Sequence, residues 1–143
     1  MSRIAYGTEF VIARRMATVK IYRDLEAWRQ AMDLVEDCYR ITGGFPTDER
    51  FGLTSQMRRA AISVPANVAE GSCRRTTAAY INHVSIALGS HAELETCFEI
   101  ADRLGYISAL QKHTFRAECD SVGRLLNGLL RALEKRSRGD TNP

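Results

Sequence analysis

No stretch of the 143 residues approaches the roughly 20 consecutive apolar residues that a membrane span needs. The first twenty residues, MSRIAYGTEFVIARRMATVK, also lack a signal-peptide core, because Glu9 and the Arg14–Arg15 pair interrupt them. A cytoplasmic chain with no membrane partner is therefore expected. Cysteine is sparse and scattered: Cys38, Cys73, Cys97 and Cys119 form no C-x-x-C pair and no metal-finger spacing. Three of them fall on apolar helix faces, where a free thiol acts as a small hydrophobe. Cys73 lies in a loop beside Arg74 and Arg75, with no histidine positioned to activate it, and reads as a free surface thiol. Alternating strand patterns are missing, as are P-loop, G-x-S-x-G and H-E-x-x-H motifs. Glu93 and Glu95 have no partner acid for glycosidase chemistry. His91 and Glu95 form one i,i+4 pair that could hold a divalent ion, but no second such pair exists. No metal, cofactor, small-molecule substrate or enzymatic activity is expected.

What remains has the composition of one globular domain, 45% hydrophobic and 26% charged, with a net charge of +3. That mild basic excess permits contact with nucleic acid without demanding it. The apolar residues recur at helical spacing in four segments. The first is expected to start at Asp24 as N-cap and run to about Thr42, with its seam at Leu25, Trp28, Met32, Val35 and Tyr39. Gly43, Gly44 and Pro46 stop it, and Thr47 caps the second, with Asp48 and Glu49 at the positive helix end. The second seam runs through Leu53, Met57, Ala60, Ala61, Val64 and Val68 to Gly71. A third helix spans Thr76 to Leu104 and ends at Gly105, the residue suited to a left-handed C′ position. Its seam is Tyr80, Val84, Ala87, His91, Leu94, Phe98 and Ala101, so His91 reads as a satisfied core or interface histidine. Ser108 and Gln111 form a capping box opening the fourth, whose seam is Phe115, Cys119, Val122, Leu126, Leu129 and Leu133.

The pattern predicts an all-α fold, an antiparallel up-down four-helix bundle with a proline-kinked second helix. The kink is placed at Pro65, which cannot donate to the carbonyl of Ala61 and crowds that turn. Ser63 is a candidate to satisfy the freed backbone. Residues 1–21 are expected to be an N-terminal arm or start-site extension, 22–138 the bundle and 139–143 a disordered tail.

Two surface patterns bear on partners. In RRAAISVPANVAEGSCRR an arginine pair stands at each end, Arg58 with Arg59 and Arg74 with Arg75. On the fourth helix Arg124, Arg131, Lys135 and Arg138 share the face opposite the leucines. These eight cations are the candidate contacts for RNA or DNA, suited to phosphate rather than bases because exposed aromatics are not interleaved with them. On the third helix Ala78, Ser85, Gly89, Ala92 and Thr96 line a stripe of small residues opposite the seam. The stripe fits either a close neighbour within the subunit or a subunit contact, with Ser85, Gly89, Ala92 and Thr96 as candidate interface residues.

Three segments carry a longer likeness: DLEAWRQAMDLVEDCYRIT, FPTDERFGLTSQMRRAAISVPANVAEG, and IALGSHAELET followed by ADRLGYIS. Over about residues 22 to 130 the chain resembles the four-helix-bundle proteins encoded within intervening sequences of bacterial 23S ribosomal RNA genes. That resemblance implies a bundle that assembles into a ring-shaped homopentamer, with no known enzymatic activity. It also implies a nucleic-acid role, by analogy with the accessory bundle proteins of diversity-generating retroelements. A ring would repeat each cationic patch around its axis. His83 and His91 stand where the family is expected to have larger apolar residues. Residues 1–15 have no counterpart, and Met16 is the more usual start. Two readings follow, a nucleic-acid-binding accessory protein or an oligomeric protein-interaction scaffold.

Overall fold

The computed structural model describes residues 21–139, so the expectations for residues 1–20 and 140–143 lie outside the described residues. Four α-helices follow one another: α1 Glu26–Thr42, α2 Leu53–Ser72, α3 Thr77–Arg103 and α4 Ala109–Gly139. Single 3-10 turns at Tyr22–Asp24 and Thr47–Glu49 precede α1 and α2. Each helix packs against its chain neighbours and α4 closes back on α1, while the backbones of the diagonal pairs stand further apart. The result is an up-down bundle.

The ends of α3 and α4 follow from local chemistry. Thr76 caps α3 by accepting a hydrogen bond from the Ala79 amide at 3.1 Å. Gly105 takes φ +79° just past its end, a conformation glycine adopts without strain. The Ser108 amide donates to Gln111 Oε1 at 3.0 Å and the Gln111 amide donates to Ser108 Oγ at 3.2 Å, a reciprocal capping box.

The two earlier helix starts depart from expectation. Asp24 ends a 3-10 turn rather than capping α1, and Leu25 occupies the N-cap position with no side-chain cap. The Asp24 carboxylate pairs with Arg29 at 3.7 Å. Thr47 opens only the second 3-10 turn, and α2 begins at Leu53. Glu49 still serves the positive helix end, since its Oε2 accepts from the Leu53 amide at 2.9 Å.

The seams of α2, α3 and α4 are buried as their spacing predicts, with Tyr80 and Leu129 half-buried at the margin. The face of α1 is rotated. Its core residues are Ala27, Ala31, Leu34, Cys38 and Ile41, while Met32 and Tyr39 are 39% and 42% exposed. Leu25, Trp28 and Val35 pack on the flank. Lying between α2 and α4, α1 turns its small residues into the narrow gap and leaves the large ones to cover the side. Phe98 of α3 and Phe115 of α4 stack with centroids 4.5 Å apart towards the α3–α4 turn.

Pro65 is buried inside an α2 that stays helical to Ser72, so the proline does not break the helix. Ser63 works between helices, its Oγ bonding Ser90 Oγ of α3 at 2.8 Å. Near the end of α2, a Cβ on Gly71 would lie 2.7 Å from Tyr80 Cδ2 and 2.8 Å from His83 Cβ. Only glycine lets α2 and α3 come so close there.

One acid on the α1–α4 seam is unusual. Glu118 Oε2 is buried and meets no donor. Burial first, then the hydrogen bond and negative charge of Asp37 and the charge of Asp33, push the Glu118 carboxyl up to about 7, against the pull of Arg40. A proton on Glu118 makes it a donor towards Asp37. The folded protein thus holds a proton that the unfolded chain gives up. Stability from this group is full below the ordinary carboxylate pKa, falls as pH rises above it and is lost once pH passes about 7. Glu118→Gln keeps a donor without the titration. In chemical denaturation it should match wild type at about pH 5. At about pH 8 it should exceed wild type by about 1 kcal/mol, and equal stabilities there would contradict the shared proton.

Candidate nucleic-acid interface

The two arginine pairs that frame Pro65 do not make one patch. Sixteen residues of mostly helical rise, about 24 Å, separate Arg58 from Arg74. Arg58 is also engaged. Its Nε donates to Thr42 Oγ1 at 2.8 Å, its Nη2 to the Tyr39 carbonyl at 3.5 Å, and its guanidinium lies 4.3 Å from the Tyr39 ring centroid. It closes the C-terminal turn of α1, where a cation meets the negative helix end. Arg59 next to it is exposed, beside a groove of about 450 Å³ shared with Gln56, Ser63, Ser90 and Glu93.

At the other end of the bundle the cations gather. Cys73 to Thr76 is the short connection from α2 to α3, and it leaves Arg74 and Arg75 exposed. Tyr80, one turn into α3, feels the charge of Arg136 on α4, which brings the last turns of α4 to this corner. Burial raises the Tyr80 hydroxyl above its ordinary range, and Arg136 opposes that. Arg124, Arg131, Lys135 and Arg138 are all exposed on α4. Arg75, Arg124, Arg131 and Lys135 make no salt bridge with the described residues. Arg74 does have a partner, because its Nε donates to His83 Nε2 at 3.2 Å.

Among the described residues the small-residue stripe of α3 has no partner within the subunit. Ala78, Ser85, Gly89, Ala92 and Thr96 are exposed, and a Cβ on Gly89 would meet nothing within 4 Å. Ile86 and Ile100 are exposed on the adjoining side of the same helix. No described helix of the same subunit packs on the stripe.

His91 is a buried linker between α3 and α4. Its Nε2 donates to the Cys119 carbonyl at 2.7 Å, and its Nδ1 lies 2.8 Å from Glu95 Oε1. Among the described residues no cluster of three or more His, Cys, Asp or Glu side chains could hold a metal ion. Nor is any helix of the described residues long and apolar enough to cross a membrane. Cys38, Cys97 and Cys119 are buried, and burial pushes the Cys38 thiol up to about 12 and raises the other two. Cys73 is the exposed one. Sequence spacing does not reveal the bond from Arg74 to His83, because nothing in it shows that His83 turns towards α2.

This arrangement can be set against known proteins. The profile of the family described as 23S rRNA-intervening sequence protein matches residues 23–128. The chain belongs to that family. A crystal structure of a protein of unknown function, from the S23 ribosomal protein family of Bacteroides thetaiotaomicron, shares the fold with a TM-score of 0.68. It is 21% identical, and the match covers 73% of this chain and 97% of that one. Comparison with curated proteins gave no significant match. The family match spans α1, α2 and α3 and stops in α4, leaving Arg131, Lys135 and Arg138 beyond it.

The geometry separates structural from available arginines. Arg58→Ala should lower stability by about 1–3 kcal/mol, through loss of the α1 closure and the packing over Tyr39. Arg75→Ala should stay within about 0.5 kcal/mol of wild type. Equal effects in urea unfolding would contradict this division.

Proposed function

We propose that this 23S rRNA-intervening sequence family member is a non-enzymatic, homo-oligomeric accessory protein that binds the phosphate backbone of RNA or DNA through one end of its bundle. The observation that carries the reading is the gathering of exposed cations there, Arg75 on the α2–α3 connection with Arg131 and Lys135 on α4, none of them in a salt bridge with the described residues. Arginine suits phosphate because its planar fork donates two hydrogen bonds at once. The exposed aromatics Phe51 and Tyr39 lie at the opposite end, under Arg50 and Arg58, so stacking on bases is not supported at the cationic end. Weak sequence preference and strong salt dependence follow. The family resemblance, with its analogy to the accessory bundle proteins of diversity-generating retroelements, supports the same reading, and it implies a gene position within an rRNA intervening sequence or similar element.

Assembly into a pentameric ring through the α3 face would multiply the cations presented. The open stripe of Ser85, Gly89, Ala92 and Thr96 beside Ile86 and Ile100 supports α3 as the contact. Because a Cβ at 89 meets nothing within 4 Å among the described residues, Gly89→Leu should leave the helical circular dichroism intact and lower the mass seen by light scattering. A wild-type protein that is monomeric at micromolar concentration would rule out the ring.

Binding is tested with nucleic-acid-free protein and a labelled duplex across a salt series. Replacing Arg74, Arg75, Arg124 and Arg131 with Gln should flatten the slope of log affinity against log salt, by up to about 0.9 for each phosphate no longer neutralised. If wild type binds neither RNA nor DNA at low salt, the protein-interaction scaffold is the better reading.

A further inference from the structure

The polar line between α2 and α3 fixes a proton position that the sequence alone does not reveal. It starts at the Ser63 carbonyl, which can only accept. Asn67 Nδ2 donates to it at 2.9 Å, so Asn67 Oδ1 is the atom that faces His83 Nδ1 at 3.1 Å. An amide oxygen cannot donate either, so His83 Nδ1 carries the hydrogen. In the neutral ring the lone pair then sits on Nε2, and the Arg74 Nε–H donates into it. Every bond in the line has one direction.

We propose that His83 is a proton-operated lock on Arg74, holding the guanidinium against α3 when neutral and releasing it to phosphate when protonated. Protonation puts a hydrogen on Nε2, so a donor faces a donor and two cations meet across 3.2 Å. The attraction becomes a repulsion. His83 cannot withdraw, because its side chain is 13% exposed and its Cβ fills the space against Gly71. Arg74 is exposed in a connecting loop and is the group that moves.

The surrounding charges favour both states of the lock. On α2, Glu70 Oε2 lies 3.6 Å from His83 Nδ1 and gives the protonated ring a counter-charge. On α3 the residues one turn either side, Ala79, Tyr80, Ile86 and Ala87, carry no charge that would oppose it. From α4, Arg136 acts on Tyr80, a turn away. Acidification therefore adds one positive charge to the corner, the imidazolium, and frees the guanidinium already there. This regulation rests on the phosphate-binding reading for its consequence but not for its geometry.

Two measurements keep those parts separate. Nitrogen-15 NMR of the wild-type chain at about pH 8 should show the Nδ1–H tautomer of His83 and a protected Arg74 Nε–H, with the protection lost at about pH 5.5. An Nε2–H tautomer, or Arg74 protection unchanged at the lower pH, overturns the lock. Anisotropy titration of a labelled RNA duplex at about 0.1 M salt should show wild-type affinity rising on acidification by about tenfold more than in His83→Gln. His91 and His113 are the same in both proteins, so the difference isolates His83. An equal response in the two proteins overturns release to phosphate. If wild type binds at neither pH, the nucleic-acid reading fails, and the NMR result alone decides the lock.

Discussion

Because residue 71 has no side chain, α2 settles against α3 until Tyr80 and His83 occupy the volume a methyl group would fill. Much else at that end depends on this approach. It allows the connection from Cys73 to Thr76 to be short, so the arginine pair stands at the corner rather than on a long loop. It seals His83 between the helices and aligns its ring with Asn67, and it brings the start of α3 beside the last turns of α4. Ala60, Ala61, Val64 and Val68 continue the same close packing along α2. The buried Pro65 belongs to this surface, adding an apolar ring although it has no N–H to donate to the Ala61 carbonyl.

The seams of α2, α3 and α4 can be read from spacing because each is bounded by a strong local signal, as in Gly105 and the Ser108–Gln111 box. The buried face of α1 lies about a third of a turn from where spacing puts it. Trp28, Met32 and Tyr39 carry more hydrophobic weight than Ala27, Ala31 and Cys38, yet a helix between two neighbours buries what fits the gap. Asp24 and Thr47 resemble N-caps because their chemistry suits caps, and the 3-10 turns they occupy show no separate sequence mark. Spacing along one helix is exact enough to place cations on a face, which is why the α4 stripe is legible. Whether an arginine is free is a tertiary question. Arg58 and Arg74 look alike in sequence, but one closes α1 and the other leans on His83.

Charge and shape divide the bundle lengthwise. One end carries Arg75, Arg131 and Lys135, and the other exposes Phe51, Leu104 and Leu110, with Phe51 at 85%. In an up-down bundle both ends hold two helix N-termini and two C-termini, so the helix dipoles largely cancel. The polarity of the molecule therefore comes from its side chains.

The lengths of α1 and α4 differ, and the difference has a dynamic consequence. At 31 residues against 17, α4 is about 20 Å longer than α1. Gln30 of α1 already meets Ser121, so beyond about residue 126 the fourth helix has α3 beside it but no α1. Leu129 and Leu130 there are only half-buried. A helix held along one flank opens more readily than one held along two, so amide exchange should quicken towards Gly139. Part of the cationic stripe thus stands on the least restrained backbone of the bundle. Whatever neutralises those charges would also order that stretch, and the entropy of ordering it would be charged against affinity.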